Sequence, residues 1–139
     1  MLFPKKVKHR KWHKGRARNI RKASDKVELA FGRYGLKATT SAWISSRQIE
    51  ATRRVLTRYT RRGGKIWIRV FPDKPVTKKG SEVPMGSGKG TVDHYVVVVK
   101  PGMIMFEMDG IPADKAKEAL ELGRFKLSCR SKYISKEQV

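Results

Sequence analysis

Hydrophobic residues recur at helical spacing in one segment of the chain, residues 46–62. The positions on this face are Ile49, Thr52, Leu56 and Tyr59. Ser45 and Gln48 form the capping-box pattern found where many helices begin, and two glycines at 63–64 are typical of a helix end. The spacing therefore predicts an amphipathic helix whose apolar stripe packs in the core.

Alternation of apolar and polar residues predicts strands after that helix. Residues 65–71 alternate until Pro72, and residues 94–100 contain a run of consecutive valines. A run without alternation is typical of a strand that is buried on both faces. Because residues 101–102 form a Pro-Gly turn pattern, we expect residues 103–108 to return as the antiparallel partner of that strand.

Further segments complete the predicted fold. Residues 27–38 are predicted as a strand with a bend or bulge at 32–35, residues 42–44 as a short strand and residues 126–134 as a last strand. Pro112 is predicted to begin a second helix. The inner face of that helix would carry Ala116, Leu120, Gly123 and Leu127. Helices combined with antiparallel strands in this way predict an α+β fold.

Positive charge is concentrated in the amino-terminal two thirds of the chain. The net charge is +21, and residues 1–92 contain 25 Lys and Arg against 5 Asp and Glu, whereas residues 93–139 contain 8 against 7. A field of one sign repels itself unless a polyanion faces it, and nucleic acid has the matching charge density. The charge alone does not separate RNA from DNA or from a membrane surface.

Composition narrows the function classes further. The single cysteine, Cys129, excludes an intramolecular disulfide framework and a cysteine-rich zinc site. The longest apolar run, residues 95–99, is far shorter than the ~20 residues of a membrane span. A protein of the membrane surface would need apolar anchors beside its basic run, and Trp12 alone is poor support, so no membrane partner is expected. The acid-poor beginning also resembles a mitochondrial presequence, although it is poor in Ser and shows no clear amphipathic helix.

Residues 1–24 are predicted as a basic arm, followed by one domain over 25–139. The arm carries ten basic residues before the first acidic one, Asp25. Such a segment is either a disordered leader or an arm that becomes ordered on RNA, where Trp12 or His13 could stack on a base. The positive charge elsewhere in the chain favours the second interpretation.

A second basic feature lies on the first predicted helix, opposite its apolar stripe. It consists of Arg47, Arg54, Arg58 and Arg61. Charged helix residues usually form a solvated face, but here only Glu50 lies at a spacing that allows pairing. The unbalanced charge favours contact with phosphate groups over solvation alone.

A loop rich in Pro and Gly is predicted over residues 72–91. The run GSGKGT at 86–91 suggests the phosphate-binding loop of NTPases, but Val83 occupies the position of the first required glycine and Gly90 follows the lysine. The pattern instead predicts a flexible cationic loop whose backbone amides can approach a phosphate.

Two residue pairs are weak candidates for metal binding or catalysis. His9 and His13 are four residues apart, as metal ligands on one helical face are, yet their positive surroundings disfavour a cation. Glu107 and Asp109 could be paired carboxylates, although a strand end followed by a turn is the favoured interpretation. We therefore predict no cofactor, no metal site and no enzymatic activity.

Six stretches of the chain resemble one protein family. They are His9-Arg10-Lys11 with His13-Lys14-Gly15-Arg16, Phe31-Gly32 with Tyr34-Gly35-Leu36-Lys37-Ala38, Arg47-Gln48-Ile49-Glu50-Ala51, residues 65–75, Met85-Gly86-Ser87-Gly88-Lys89-Gly90, and Phe106-Glu107-Met108-Asp109-Gly110. In this order they resemble the bacterial-type ribosomal protein L sixteen family of the large subunit, and residues 65–75 are the most specific of them.

The resemblance implies a compact α+β fold with two helices on an antiparallel sheet, an extended basic arm and a long Gly/Lys-rich loop. It implies a structural protein of the large ribosomal subunit whose partners are large-subunit rRNA, tRNA and neighbouring ribosomal proteins, without a homo-oligomer. The arm at 9–16 and the loop at 85–90 would project toward the site that receives aminoacyl-tRNA, on a cytoplasmic or organellar ribosome. An RNA-modifying enzyme with a basic docking arm is the alternative.

The candidate rRNA- and tRNA-contacting residues come from the arm, the first helix and the loop. They are His9, Arg10, Lys11, Trp12, His13, Lys14, Arg16, Arg18, Arg47, Arg54, Arg58, Arg61, Lys78, Lys79, Met85, Gly86, Gly88, Lys89 and Gly90. The chain departs from the family pattern at Pro84, where many relatives have arginine, and at residues 127–139, to which no function is assigned.

Overall fold

Two helices and two antiparallel sheets form the part of the chain that the computed structural model describes, residues 1–13, 22–61, 63–80, 82, 86 and 88–136. In chain order the elements are β1 (Tyr34–Ala38), β2 (Ala42–Ser45), α1 (Ser46–Tyr59), β3 (Lys65–Ile68), β4 (Lys74–Lys78), β5 (Thr91–Val99), β6 (Ile104–Asp109), α2 (Ala113–Arg124) and β7 (Ser131–Ser135). The α+β class predicted from the sequence is confirmed.

The strands divide between a four-stranded sheet, in the order β3-β6-β1-β7, and a three-stranded sheet, in the order β2-β5-β4. Gly35 of β1 lies opposite Glu107 of β6, and Leu36 lies opposite Phe106. The register then shifts between Leu36 and Lys37, so the predicted bulge lies a few residues later than residues 32–35.

Helix α1 begins as its sequence predicts. The Gln48 amide donates to Ser45 Oγ at 3.3 Å, and the Ser45 amide donates to Gln48 Oε1 at 3.0 Å, which completes the capping box. The helix ends at Tyr59, before the two glycines, because the Thr60 amide closes on the Leu56 carbonyl and Arg61 turns into the left-handed region at φ 52°. The predicted end at residue 62 is therefore too late.

The core lies between the helices and the sheets. Its fully buried side chains include Leu36, Ile44, Ile49, Leu56, Phe106 and Leu120. The helices pack closely where Gly123 of α2 meets Thr52 and Leu56 of α1, and the Thr52 hydroxyl donates to the Gly123 carbonyl at 3.4 Å. The predicted inner face of α2 is confirmed, although Leu127 is buried beyond the helix end.

The predicted hairpin of residues 94–100 with 103–108 is wrong. Strand β5 pairs with β2 and β4, whereas β6 pairs with β1 and β3 in the other sheet. After the turn the chain is taken up by β1 instead, because Gly102 donates to the Ala38 carbonyl at 2.7 Å and Ala38 donates to the Met103 carbonyl at 2.8 Å. A turn pattern does not show which strand the chain pairs with after the turn.

Several predicted boundaries also differ. Strand β4 lies inside the segment predicted as a loop over 72–91, and its Pro75 is tolerated because β4 is an edge strand of its sheet. Strand β3 ends at Ile68 instead of residue 71, and β5 begins at Thr91 instead of 94. Strand β7 begins at Ser131, five residues later than residue 126.

Candidate nucleic-acid interface

The arm and the loop contact each other directly. Lys11 Nζ donates to the Lys89 carbonyl at 3.2 Å, and Lys89 Nζ donates in return to the Trp12 carbonyl. Two segments that are 78 residues apart in the chain therefore form one surface. The charged heads remain exposed, since both hydrogen bonds lie at the molecular surface.

This arm–loop surface is a shallow depression. It is lined by His9, Lys11, Trp12, His13 and Lys89. The Trp12 side chain is 40% exposed, and none of the residues that line the depression in the described part of the chain is acidic. Cationic groups beside an accessible indole can contact phosphate groups while a base stacks on the ring.

The loop conformation depends on glycine at two of the candidate positions. Gly86 and Gly88 have φ values of 104° and 95°, where other residues are strained, and a Cβ at either position would meet nothing within 4 Å. Lys79 Nζ donates to the Gly86 carbonyl and holds the loop against the end of β4. Lys78, the last residue of β4, is exposed beside it, and Gly90 lies against the Lys78 backbone.

The four predicted arginines are all exposed, Arg47, Arg54 and Arg58 on α1 and Arg61 two residues beyond its end. Arg54, Arg58 and Arg61 come together with Arg53 and Thr57 around a second depression, while Arg47 lies on the same face nearer the helix start. We call Arg47, Arg54, Arg58 and Arg61 the arginine face. Arg53 is not among the candidate residues predicted from the sequence. Its position three residues after Glu50 is the sequence signal that would have identified it as the ion-pair partner of that carboxylate.

Glu50 is the carboxylate that pairs with this helix. It forms an ion pair with Arg53, and its Oε1 lies 3.4 Å from Arg54 Nε. The hydrogen bond from Arg53 lowers the pKa of Glu50 below its ordinary value, against the opposing effect of burial. Within the described ranges, no carboxylate pairs with Arg47, Arg58 or Arg61, so no neighbouring side chain offsets the positive charge that they present to an external anion.

The candidate contact residues Lys14, Arg16, Arg18 and Met85 lie outside the described residues, as do Val83 and Pro84. Arg10 and His13 are described and exposed on the arm. In the part of the chain that the structure describes, no three His, Cys, Asp or Glu side chains are grouped as metal ligands. No helix among these residues is long and apolar enough to cross a membrane.

Glu107 and Asp109 do not form the pair of carboxylates that their spacing suggested. Asp109 Oδ1 accepts the Gly110 amide at 2.7 Å in a turn. Glu107 instead lies within β6 and is fully buried. It forms an ion pair with Arg69, the residue that follows the end of the neighbouring strand β3. The favoured interpretation, a strand end followed by a turn, agrees with the structure, since β6 ends at Asp109 directly before Gly110. Glu107 lies two residues before that end and neutralises Arg69.

Comparison with known proteins agrees with these features. A family model of ribosomal protein L16p/L10e matches residues 4–134. The chain belongs to this family. The predicted resemblance is thereby confirmed, and the family membership makes the chain a structural constituent of the ribosome, a ribonucleoprotein component that binds rRNA and serves translation.

Individual relatives match along the entire chain. The large ribosomal subunit protein uL16 of Heliobacterium modesticaldum is 53% identical over 139 residues, which is 100% of this chain and 95% of that protein. The large ribosomal subunit protein uL16c of Phaeodactylum tricornutum is 52% identical over 100% of this chain and 99% of its own length. The predicted assignment to the large subunit agrees with both names, whereas the alternative of an RNA-modifying enzyme gains no support from them.

Proposed function

We propose that the chain binds large-subunit rRNA and helps to position aminoacyl-tRNA near its receiving site. We assign a different role to each of the two basic surfaces. The arginine face would hold rRNA, and the arm–loop surface would lie toward the functional centre. Both relatives described above are named as large-subunit proteins, which supports the location of the partner RNA.

The arginine face has the chemistry of a phosphate-binding surface. Guanidinium groups donate to phosphate oxygens in pairs and stay charged at all physiological pH values. Exposed arginines on one helical face repel one another in water, so a polyanion in front of them stabilises the arrangement. This geometry suits the sequence-independent backbone contacts that position a protein on RNA.

The observation that carries the proposal is the exchange of hydrogen bonds between the arm and the loop. Lys11 of the arm donates to the Lys89 carbonyl of the loop, and Lys89 donates to the Trp12 carbonyl of the arm. This exchange holds Trp12 beside the loop. The candidate contact residues of the two segments thereby become one binding surface. Such a surface can face a single RNA, as expected for a segment close to tRNA.

We also propose that residues 25–139 fold without the arm and that the protein acts as a single copy among neighbouring ribosomal proteins. The arm is nevertheless anchored, because Leu2 packs against the core cluster and is only partly buried there. Deletion of residues 1–16 would remove this contact together with the arm's positive charge. We expect it to cost no more than about 1–2 kcal/mol in the free energy of unfolding.

The test of the proposed function is the variant Lys89→Glu in assembled large subunits. It removes the contact with Trp12 and reverses a charge on the arm–loop surface, so we expect normal occupancy of the protein but weaker binding of aminoacyl-tRNA. Lys117→Glu is the matched control, because Lys117 is exposed on α2 and belongs to neither basic surface. Equal tRNA binding by the two variant subunits would contradict the proposal.

A further inference from the structure

We infer that Phe31 is a stacking platform for an unpaired base of ribosomal RNA. The platform consists of Phe31 with Trp67 and Arg69 beneath it, and none of these three residues belongs to the arm–loop surface or the arginine face. The inference rests on the rRNA binding of the family, and it assigns a contact that the charge pattern does not indicate.

The backbone of Phe31 is held in place by a buried carboxylate. Glu107 Oε1 accepts the amides of Ala30 and Phe31 at 2.9 Å each and that of Gly32 at 3.0 Å. These amides are satisfied by a side chain, which explains why the strand predicted over 27–38 begins only at Tyr34. The segment before β1 is therefore a fixed turn around Glu107.

Charge and burial at Glu107 make this anchor firm. Burial would raise the pKa of Glu107, but the hydrogen bond from Gly32, the contact with Arg69 and the hydrogen bond from Phe31 outweigh it and hold the pKa below the ordinary glutamate value. Arg69 also donates to the Glu28 carbonyl at 3.3 Å. The Glu107 carboxylate and the Arg69 guanidinium thus hold residues 28–32 against β6 and against the chain that directly follows β3.

The Phe31 ring lies over two side chains of edge strand β3 and its continuation. Its centroid is 6.0 Å from that of Trp67 with an interplanar angle of 17°, and the Arg69 guanidinium carbon is 5.3 Å from the Phe31 centroid. Residues two apart on a strand project from the same face, so Trp67 and Arg69 lie under the same side of the ring. The outer side is open, and Phe31 is 57% exposed.

Gly32 allows this close approach. A Cβ at this position would lie 2.5 Å from the Met108 carbonyl oxygen and 3.1 Å from the Trp67 ring. Any larger residue would lift the segment away from the sheet and separate the two aromatic rings. A ring that is fixed from below and open above is already in the arrangement that a stacking base requires.

The surroundings favour a nucleotide as the occupant. Lys65 is exposed two residues before Trp67 on β3, and Arg33 is exposed two residues after Phe31, so exposed cationic side chains lie near the ring in the chain. Glu107 is fully buried and paired, whereas Glu28 is exposed three residues before Phe31 and Asp109 lies opposite Lys65 on β6. RNA-binding proteins recognise unpaired bases by stacking them on aromatic side chains beside such charges.

The experiment compares three variants of the full chain in binding to full-length large-subunit rRNA. Phe31→Leu keeps an apolar side chain but no ring, and Phe31→Tyr restores the ring. Phe125→Leu is the matched control, because Phe125 is 72% exposed and also lies near an arginine, with Arg124 5.1 Å from its centroid. Filter binding gives the Kd and its salt dependence, and thermal unfolding checks that each variant is folded.

We expect Phe31→Leu to weaken binding by about 5- to 150-fold, the range for loss of one stacked base. The slope of log Kd against log salt should stay unchanged, since no phosphate contact is removed. Phe31→Tyr and Phe125→Leu should bind like the wild type. Equal binding by Phe31→Leu and the wild type, or equal losses in Phe31→Leu and Phe125→Leu, would overturn the platform while leaving rRNA binding itself intact.

A cross-linking measurement identifies the occupant without relying on stability. Phe31 is replaced by p-benzoylphenylalanine in the full chain, and assembled large subunits are irradiated. A cross-link to rRNA supports the inference, whereas a cross-link to protein alone overturns it. Failure of the wild-type chain to bind rRNA at all would instead refute the function on which the platform rests, so the two failures are distinguishable.

Discussion

The two helices pack against each other through similar inner faces but differ in their outer faces. The inner faces bury Ile49, Thr52 and Leu56 on α1 and Ala116, Ala119, Leu120 and Gly123 on α2. The outer face of α1 is the arginine face, whereas the exposed charges of α2 are mixed: Asp114, Lys115, Lys117 and Glu118. Charges of mixed sign need no partner of one sign and are typical of a solvated face, whereas the unbalanced positive charge of the arginine face favours an anionic partner.

The difference shows that a charged helix indicates RNA binding only when its charges are unbalanced. The net charge of the chain belongs almost entirely to residues 1–92, which include α1 and exclude α2.

The largest expected effect is the dependence of rRNA binding on salt. If the arginine face and the other basic surfaces meet even 6–10 phosphates, the affinity should fall about 10³- to 10⁵-fold between 50 and 200 mM salt. Filter-binding titrations over this range measure it. An affinity that hardly changes with salt would mean that the basic surfaces do not contact phosphates. The unbalanced charge of α1 would then not indicate RNA binding.

Charge reversal tests the outer faces directly. Arg54→Glu with Arg58→Glu should weaken rRNA binding on the order of 10- to 100-fold, because two charge-assisted contacts are lost. Lys115→Glu with Lys117→Glu on α2 changes the net charge equally and should have little effect. Equal losses in the two double variants would show that total charge, and not the α1 face, determines binding.

Truncation of the inner faces should affect both helices alike. Leu56→Ala on α1 and Leu120→Ala on α2 should each lower the free energy of unfolding by about 2–5 kcal/mol, since both side chains are fully buried. Leu122→Ala is the control, because Leu122 is 47% exposed and should cost within about 0.5 kcal/mol. Denaturant unfolding measures all three. A large loss in the arginine double variant as well would indicate a structural role for those side chains.

The smallest expected effect concerns Glu50, the acidic residue on the exposed side of α1. Its lowered pKa means that the ion pairs with Arg53 and Arg54 stabilise the fold above the ordinary glutamate value near 4.5. That contribution is lost as the pH falls through the lower folded value. Glu50→Gln should remove it, at a cost of at most about 1 kcal/mol.

Unfolding measured from pH 7 downward checks this sign. The wild type and Glu50→Gln should differ most near pH 7 and converge at acid pH. The variant should also bind rRNA at least as well as the wild type, because Arg53 and Arg54 no longer face a carboxylate. Weaker rRNA binding would show that Glu50 is needed to orient those arginines.

Local features of the chain were predicted well because they depend on nearby residues. The capping box at Ser45 and Gln48, the buried stripe of α1 and its exposed arginines all follow from a period of 3.6 residues and from contacts within a few positions. The family could be recognised for the same reason, since short runs in a fixed order are visible in the sequence. The sequence indicates both the arm and the loop as candidate segments, but nothing in it indicates that they contact each other.

The features that the sequence did not reveal all depend on residues far apart in the chain. Periodicity and composition were enough to predict the first helix, its charged face and the class of partner, because both are local or summed properties of the chain. Three features became visible only in the folded molecule: β6 pairs with β1 instead of β5, Glu107 is buried beneath the turn at Phe31, and Lys89 contacts Trp12. Strand partners and buried ion pairs are selected by competition among distant segments for the same hydrogen bonds, and no spacing in the chain records which segment wins.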